Sequence, residues 1–411
     1  MATSSLVSAF RKEVSKLKDQ RMKSESEFNV GYSTGFLCFD FINGSMVHVK
    51  TADKNLSYYS LGITDGSMNM VIGRSGCGKT TWCIQSAANI VRNFDNGCIF
   101  HDDIEGGITM PRLTALTGFT QDEVETKYIL RNTGITAENF YARIKMIYDI
   151  KMADPEKFEY DTGLYDYNGN RIFKLQPTVV ILDSLALLMP EKLTEEEELS
   201  GSMSATAAAK TNSSVFKRVV PMLKSGNIIL FVINHINKKI DINPMQRTKA
   251  QVSYLKQDES LPAGNTPIYL ANNLIRFDDH TKLKSTEGFG IDGTLVDVTL
   301  IKSRTARAGQ VATLVFDQNT GFDPDLSLLI LLKKYEKLNG AGAYMYIGDH
   351  QEFKFAQKNF KELLKNPEFM EIVMEAVKEI LPIIIPPYEE LECTSNNSMS
   401  TKLLMGLTTP Q

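Results

Sequence analysis

The 411-residue sequence predicts an α/β fold with a mostly parallel, twisted sheet and helices between its strands. Two observations indicate this fold. A glycine-rich octet at residues 73–80 stands between an apolar run, residues 68–72, and a helical stretch that begins at Thr81. In addition, apolar strand-like runs alternate with helical stretches from residue 31 to about residue 323. Parallel strands joined by crossover helices are the most economical explanation of that alternation.

The predicted strands are short, mostly apolar runs, which are typical of buried strands. They are residues 68–72, 98–103, 178–183, 228–234, 274–277, 295–301 and 312–316. Residues 158–174 interrupt the pattern, and Asn168-Gly169 within them is a hairpin signal, so we expect a surface insertion there.

The octet has the sequence GRSGCGKT, which matches the pattern GxxxxGKT. Glycines let successive backbone N–H groups turn toward a polyphosphate, and the positive end of the following helix adds to the attraction. We expect Lys79 to reach the β- and γ-phosphates and the Thr80 hydroxyl to bind Mg²⁺. The predicted nucleoside triphosphate site comprises Gly73, Arg74, Ser75, Gly76, Cys77, Gly78, Lys79, Thr80 and Thr81.

The bulk composition, 43% hydrophobic and 23% charged, is that of an ordinary soluble protein with two or three domains. The apolar stretch at residues 379–387 is short and broken by proline, so we expect it in a core and expect no membrane association. The five cysteines lack metal-site spacing, which favours a reduced, cytoplasmic setting. A net charge of −4 argues against wholesale wrapping in nucleic acid but permits local basic patches.

Four segments are predicted along the chain. Residues 1–30 contain an amphipathic helix that packs either on its own core or on another subunit, where it would serve oligomerisation. Residues 31–323 form the core, residues 324–391 form a small C-terminal domain, and residues 392–411 form a flexible tail.

Carboxylates follow two of the predicted strands. Asp183 ends one of them and is expected to complete the Mg²⁺ shell, because the loop hydroxyl alone leaves the cation short of oxygen ligands. Glu105 follows another strand and is the candidate catalytic carboxylate, which orients the attacking water. Asp102 is expected to face solvent at the strand end.

A third strand ends in Asn234-His235, where His235 is a candidate sensor of the γ-phosphate. Residues 236–264 then form a long polar loop, in which residues 238–257 carry five basic side chains against one acidic one. A second long loop, residues 190–204, is acidic, so we expect no phosphate contacts there. From these residues alone, mobile, solvated loops are the preferred interpretation of both segments.

Several motifs together resemble those of the RecA-type DNA recombinases, including their phage UvsX-type members, over roughly residues 33–380. They are Ser33-Thr34-Gly35 with Asp40 and Gly44, the octet, Ile181-Leu182-Asp183-Ser184-Leu185, Asp103-x-Glu105-Gly-Gly-Ile-Thr109, Ile233-Asn234-His235, Gly264-Asn265, Lys302-Ser303-Arg304, Ala341-Gly342-Ala343-Tyr344 and Leu364-Lys365-Asn366-Pro367-Glu368.

The resemblance implies a RecA-like P-loop ATPase core with an N-terminal helix and a small α+β C-terminal domain. It implies catalysis of ATP hydrolysis with Mg²⁺ by Glu105, Lys79 and His235, while Lys302 and Arg304 reach ATP bound to the neighbouring subunit. Thr109 and Arg112 belong to the implied nucleotide site, where the Arg112 guanidinium can stack on the adenine in place of the family's aromatic residue. The implied DNA-binding residues are Lys238, Lys239, Arg247, Lys249, Tyr254, Lys256, Gly264 and Asn265.

The implied activity is homologous pairing and strand exchange by a head-to-tail helical filament on single-stranded DNA, with double-stranded DNA as the second partner. A single-stranded-DNA-binding protein and a loader or mediator are expected as accessory partners. Two alternatives stay open: a hexameric DNA helicase of the same ATPase superfamily, and a recombination mediator with little ATPase activity. The helicase is disfavoured because residues 1–33 are too short for a collar domain.

Overall fold

The computed structural model describes residues 29–50, 55–165, 170–195, 201–238, 255–256, 258–262, 264–286, 288–340 and 343–387. The predicted N-terminal helix, the turn at Asn168-Gly169 and the predicted tail lie outside these residues.

The strands are numbered in chain order: β1 Gly31–Tyr32, β2 Ser45–Lys50, β3 Asn55–Ser60, β4 Ile63–Thr64, β5 Met68–Gly73, β6 Cys98–Asp103, β7 Tyr128–Arg131, β8 Glu159–Tyr165, β9 Arg171–Leu175, β10 Thr178–Asp183, β11 Ile228–His235, β12 Asn237–Lys238, β13 Glu259–Ser260, β14 Asn273–Leu283, β15 Gly293–Lys302, β16 Val311–Asp317, β17 Gly321–Asp323, β18 Leu338–Asn339 and β19 Tyr346–Ile347. The α-helices are α1 Leu37–Ile42, α2 Lys79–Val91, α3 Met110–Thr117, α4 Gln121–Lys127, α5 Ala137–Ala153, α6 Glu191–Glu195, α7 Gly201–Gly226, α8 Thr266–Leu270, α9 Pro324–Lys334, α10 Phe360–Leu363 and α11 Pro367–Ile384.

The central sheet has nine strands in the order β17-β16-β15-β14-β5-β11-β10-β6-β7. The strands from β14 to β7 in this order are parallel, whereas β15, β16 and β17 are antiparallel. The predicted α/β class with a mostly parallel sheet is therefore confirmed. Because parallel strands end at the same edge, Gly73 lies beside His235 and Asp183 lies beside Asp103.

The inner strands β5, β10 and β11 are mostly apolar, as expected for strands that helices cover on both faces of the sheet. Every residue of β5 and β10 is buried. On one face Trp82 of α2 packs edge-on against Phe39, Phe231 and Phe277, with ring centroids 4.9, 5.7 and 5.5 Å away. The opposite face is covered by α5 and α7, and a separate apolar cluster forms there. Because helices pack on both faces, the carboxyl ends of the inner strands are fixed side by side along one edge of the sheet.

The hairpin insertion is present, since β8 pairs with β9 in antiparallel orientation. The predicted loop at residues 190–204 is wrong in part, because α6 and the start of α7 lie within it. The helix after the octet begins at Lys79, two residues earlier than predicted. Because the helix begins directly after the glycine-rich turn, the first backbone N–H groups of the helix face that turn.

Beyond β17, α9 packs against β16 and α1, and α11 buries one face that includes Phe369, Val373 and Ile380. The apolar stretch that follows Glu379 therefore contributes to a core, as predicted, since Ile380, Ile384 and Ile385 are buried. Within the described residues, no helix combines the length and the apolar character that a membrane crossing requires. The predicted domain boundaries stay a prediction.

Candidate nucleotide-binding and catalytic site

The glycine octet forms a tight turn between β5 and α2. Gly76 and Gly78 have φ angles of +81° and +84°, a region that residues with a Cβ atom rarely adopt. A Cβ on Gly78 would also lie 2.7 Å from the ring of Phe322. The Lys79 side chain is buried, and its Nζ donates a hydrogen bond to the Arg74 carbonyl at 2.7 Å. The amine therefore lies inside the turn, next to the backbone N–H groups that would contact phosphate.

Thr80 and Asp183 meet at the end of the sheet. The Thr80 hydroxyl donates to Asp183 Oδ2 at 2.5 Å. The other oxygen, Oδ1, is buried and has no hydrogen-bond partner among the described residues. Burial raises the pKa of Asp183 to about 6. A buried carboxylate oxygen without a partner is costly, and this hydroxyl–carboxylate pair has the oxygen ligands that Mg²⁺ prefers. The residues present therefore fit the predicted cation.

Glu105 and His235 form the second part of the site. His235 Nε2 lies 2.7 Å from Glu105 Oε1, although the two residues are 130 positions apart in the chain. Burial raises the pKa of Glu105, but the hydrogen bond with His235 and the nearby charges of His235 and Lys79 outweigh it. The pKa of Glu105 therefore lies below its ordinary value, and the side chain is ionised at neutral pH.

Asp103 shapes the turn that carries Glu105. Its two carboxylate oxygens accept the backbone N–H groups of Gly106 and Ile108 at 2.9 and 3.0 Å. The Ile104 N–H donates to the Asp183 carbonyl at 2.6 Å, which joins this turn to β10. Asp103 is thus a positioning residue for Glu105.

Asp102 does not face solvent, so that prediction is wrong. Its side chain is 1% exposed and forms an ion pair with Arg143 of α5. Burial raises the pKa of Asp102, and the opposing charge of Arg143 partly offsets this effect. Successive strand residues point to opposite faces. Because α5 covers the face to which Asp102 points, its carboxylate requires a cation inside the protein.

Sequence reasoning did not identify His101, which lies next to the predicted site. Its ring is fully buried, and Nδ1 lies 2.8 Å from the hydroxyl of Tyr128. Burial lowers the pKa of His101 to about 3, so the imidazole is neutral. The signal in the sequence that could have indicated it is a histidine directly after the apolar run of residues 98–100 and two positions before Asp103.

Thr109 and Arg112, the residues predicted near the adenine base, lie on one surface beside the turn of the glycine octet. Thr109 is the N-cap residue of α3. Arg112, also in α3, donates to the Asn319 carbonyl at 2.5 Å in the turn between β16 and β17. A Cβ on Gly321, which follows that turn, would lie 2.9 Å from Thr81 Cγ2. The surface formed by α3 and the turn between β16 and β17 therefore lies next to α2. The contact of Arg112 with adenine stays a prediction.

Lys302 and Arg304 lie away from the phosphate loop of their own chain. The Arg304 N–H donates to the Asn272 carbonyl, and the Asn272 N–H donates to the carbonyl of Met68, the first residue of β5. The phosphate loop follows the opposite end of β5, roughly 17 Å away at about 3.3 Å per residue. These two cations therefore lie far from the glycine octet of their own chain.

Both cations instead contact the end of α8. Lys302 Nζ donates to the carbonyls of Ile268 and Tyr269 at 3.1 and 2.9 Å, and the Arg304 guanidinium donates to Tyr269 at 3.2 Å. Cations at the carboxyl end of a helix satisfy its last carbonyls. Since α8 follows directly on the long loop, these cations are joined to that loop.

The base of the long loop is more ordered than the sequence indicates. β12 pairs with β13, and Glu259 of β13 forms two hydrogen bonds with the Arg276 guanidinium at 2.9 and 3.0 Å. Lys256 and Arg74 line one cleft of about 600 Å³, which connects the loop with the phosphate turn. Gly264 has a φ angle of +82°, and Asn265 precedes α8.

The remaining predicted DNA-binding side chains lie outside the described part of the chain. Lys239, Arg247, Lys249 and Tyr254 lie outside the described residues, and of Lys238 only the backbone, in β12, is described. Their roles stay predictions.

Comparison with known proteins shows a distant similarity to RecA. The chain is 24% identical over 212 residues to Protein RecA of Francisella philomiragia subsp. philomiragia. The aligned region covers 51% of this chain and 53% of that protein. The chain thus spans about half the length of the curated relative that it matches. The similarity supports a relationship to the RecA family of recombinases and does not extend to the UvsX type.

Among solved structures, the crystal structure of the RadB recombinase aligns with a TM-score of 0.36 at 19% identity, over 63% of this chain and 91% of that chain. No protein-family model matches the sequence.

Proposed function

We propose that this protein is an ATP-dependent DNA recombinase of the RecA type. It forms a helical filament on single-stranded DNA and exchanges strands with homologous duplex DNA. The single observation that carries the proposal is the 2.7 Å contact between Glu105 and His235. It joins a carboxylate suited to activating water to the residue at which the long basic loop begins.

ATP binds at the glycine octet. Backbone N–H groups of the turn and Lys79 Nζ hold the β- and γ-phosphates, and Thr80 and Asp183 hold Mg²⁺. When bound there, Mg²⁺ neutralises part of the charge that develops on the phosphate oxygens. Thr80 and Asp183 are already within hydrogen-bond distance of each other, so their oxygens require little rearrangement.

Glu105 orients the attacking water and accepts its proton. Because the pKa of Glu105 lies below its ordinary value, the side chain is ionised and able to do so. The side chain is 40% exposed, which leaves room for a water molecule at its free oxygen. His235 holds the other oxygen and so sets the direction of the carboxylate.

Lys302 and Arg304 act on the ATP of the adjoining subunit. They lie at the amino end of β5, whereas the glycine octet lies at the opposite end. A head-to-tail contact between two copies therefore brings the two cations of one copy to the octet of the other. A heterologous contact of this kind propagates as a helix. Two cations against the γ-phosphate stabilise the charge of the transition state.

The same contacts connect ATP with DNA binding. His235 lies at the start of the long loop, and α8, which Lys302 and Arg304 hold, lies at its end. ATP therefore acts on both ends of the loop, whose basic residues contact DNA phosphates without reading the bases. Hydrolysis removes the γ-phosphate contacts and relaxes the loop. We expect this protein to work in the cytoplasm together with a single-stranded-DNA-binding protein and a loader.

A strand-exchange assay tests the proposal. Purified protein is mixed with circular single-stranded DNA and a homologous linear duplex, with ATP or with a non-hydrolysable analogue. Joint molecules are expected in both reactions, and DNA-stimulated phosphate release is expected with ATP alone. Unwinding without homologous pairing would instead favour a helicase. Protein that stays monomeric with nucleotide and oligonucleotide present would contradict the filament.

A further inference from the structure

A buried group of three potential metal ligands lies behind the phosphate site. One ring nitrogen of His101 and one carboxylate oxygen each from Asp103 and Asp183 all lie within 4.8 Å of one another. The three side chains are at most 2% exposed. Asp103 and Asp183 are register partners on β6 and β10, and His101 lies two residues before Asp103, so all three point to the same face.

One ring nitrogen of His101 is buried without a partner among the described residues. Its Nδ1 lies 2.8 Å from the Tyr128 hydroxyl, and its Nε2 is buried without a hydrogen-bond partner among the described residues. Metal-binding histidines commonly have one ring nitrogen on a second protein group, which fixes the ring orientation, while the other nitrogen binds the ion. Tyr128 occupies the place of that second group.

Both carboxylates have capacity for a cation. Asp183 Oδ1 is buried without a partner among the described residues. The oxygens of Asp103 each accept one backbone N–H, which leaves a further lone pair on each. Two carboxylates and an imidazole in one buried cluster are stable with a divalent cation between them, because the cation neutralises the like charges and satisfies the polar atoms that lack a partner.

We propose that His101, Asp103 and Asp183 bind one divalent transition-metal ion, of the class of Zn²⁺ or Mn²⁺, in the absence of nucleotide. The nitrogen ligand selects this class over Mg²⁺, which prefers oxygen ligands only. The site shares Asp183 with the proposed nucleotide site but requires no ATP. A metal bound there fixes Asp183 and the turn that carries Glu105 before nucleotide arrives.

The test is equilibrium dialysis of the full-length, chelator-treated, nucleotide-free protein against Zn²⁺ in the presence of excess Mg²⁺. About one equivalent of Zn²⁺ is expected to bind. Affinity should follow the Irving–Williams order, so that Zn²⁺ binds more tightly than Mn²⁺. Co²⁺ in place of Zn²⁺ is expected to give visible absorption that depends on His101.

Variants make the test specific. H101Q is expected to lose Zn²⁺ binding while it retains a fluorescent ATP analogue, which shows that it is folded. H350Q is the matched control, because His350 is an exposed histidine beside Glu352. It is expected to bind Zn²⁺ as the wild type does. Y128F retains all three ligands but loses the group that orients His101, so its affinity should fall about 10- to 100-fold.

Equal Zn²⁺ binding by wild type and H101Q would overturn the proposal, as would displacement of Zn²⁺ by equimolar Mg²⁺. If H101Q does not fold, unchanged affinity in Y128F overturns it instead. Loss of strand exchange has no bearing on this result, because the site is measured without nucleotide or DNA.

Discussion

His235 Nε2 and Glu105 Oε1 lie 2.7 Å apart, although His235 ends β11, Glu105 follows β6, and β10 lies between these two strands. Both residues project from the carboxyl edge of the sheet, and their contact crosses the end of β10, where Asp183 lies. The carboxylate that we propose as catalytic and the last residue of β11, which precedes the long loop, are therefore in direct contact. A displacement of either side chain changes the position of the other, which gives the proposed coupling a physical path.

Replacing Glu105 with Gln tests its catalytic role. Gln keeps the size of the side chain and its contact with His235 but cannot accept the water proton. We expect kcat for ATP hydrolysis to fall by about 10²- to 10⁴-fold, with ATP affinity and filament formation retained. Phosphate release and electron microscopy of filaments measure the two effects. The control is Glu156→Gln, an exposed position outside the site. Turnover at the wild-type rate would exclude Glu105 from catalysis.

Removing Lys302 and Arg304 together tests action between subunits. The double Ala variant is expected to lose DNA-stimulated hydrolysis, whereas Arg307→Ala, which removes an exposed cation of the same turn, should retain it. Mixing is decisive. The double variant has an intact Glu105, and the Glu105→Gln variant has intact cations, so mixed filaments should regain part of the activity that each lacks. A mixture as inactive as its components would contradict this arrangement.

Exchanging Lys238, Lys239 and Lys249 for Ala tests the long loop as the DNA contact. Each phosphate contact that is lost should reduce the slope of log affinity against log salt by about 0.7 for single-stranded DNA. We therefore expect weaker and less salt-dependent binding of an oligonucleotide, measured by fluorescence anisotropy over a salt series. As a control with the same change of charge, Ala replaces Lys358, Lys365 and Lys378, which are exposed outside the core. An unaltered slope in the loop variant would place the DNA contact elsewhere.

Lys151 predicts a pH dependence of stability. Its Nζ is buried under α5 and donates to the carbonyls of Gln176 and Gly226 at 2.7 and 2.8 Å. Burial lowers its pKa to about 7, whereas an unfolded lysine titrates near about 10.4. Between these values the unfolded chain binds more protons, so the free energy of unfolding should rise with pH, by up to about 1.4 kcal/mol per unit.

Urea unfolding at pH 7.5 and 9.5 measures this contribution. Lys151→Met should remove it, while Lys145→Met, at an exposed position of the same helix, should leave it in place. Identical pH slopes for wild type and Lys151→Met would show that the buried amine does not lose its proton in this range.

The sequence alone determined the features that depend on residues close together in the chain, namely the octet turn, the inner strands and the residues at the strand ends. The octet predicts its own turn because glycines with positive φ, a lysine and a threonine are all within eight positions. The inner strands are equally predictable, because an apolar run of this length has to be buried on both faces. The positions of Asp183 and Glu105 at strand ends follow from the same pattern.

The tertiary structure decided the contacts between distant positions. The Glu105–His235 contact, the burial of Asp102 against Arg143 and the hold of Lys302 on α8 each join separate segments. They depend on the order of strands in the sheet and on which helix covers which face. Hydrophobic periodicity shows that a segment is buried but carries no information about its partner, and for this reason the sequence alone left Asp102 in solvent and His101 without a role.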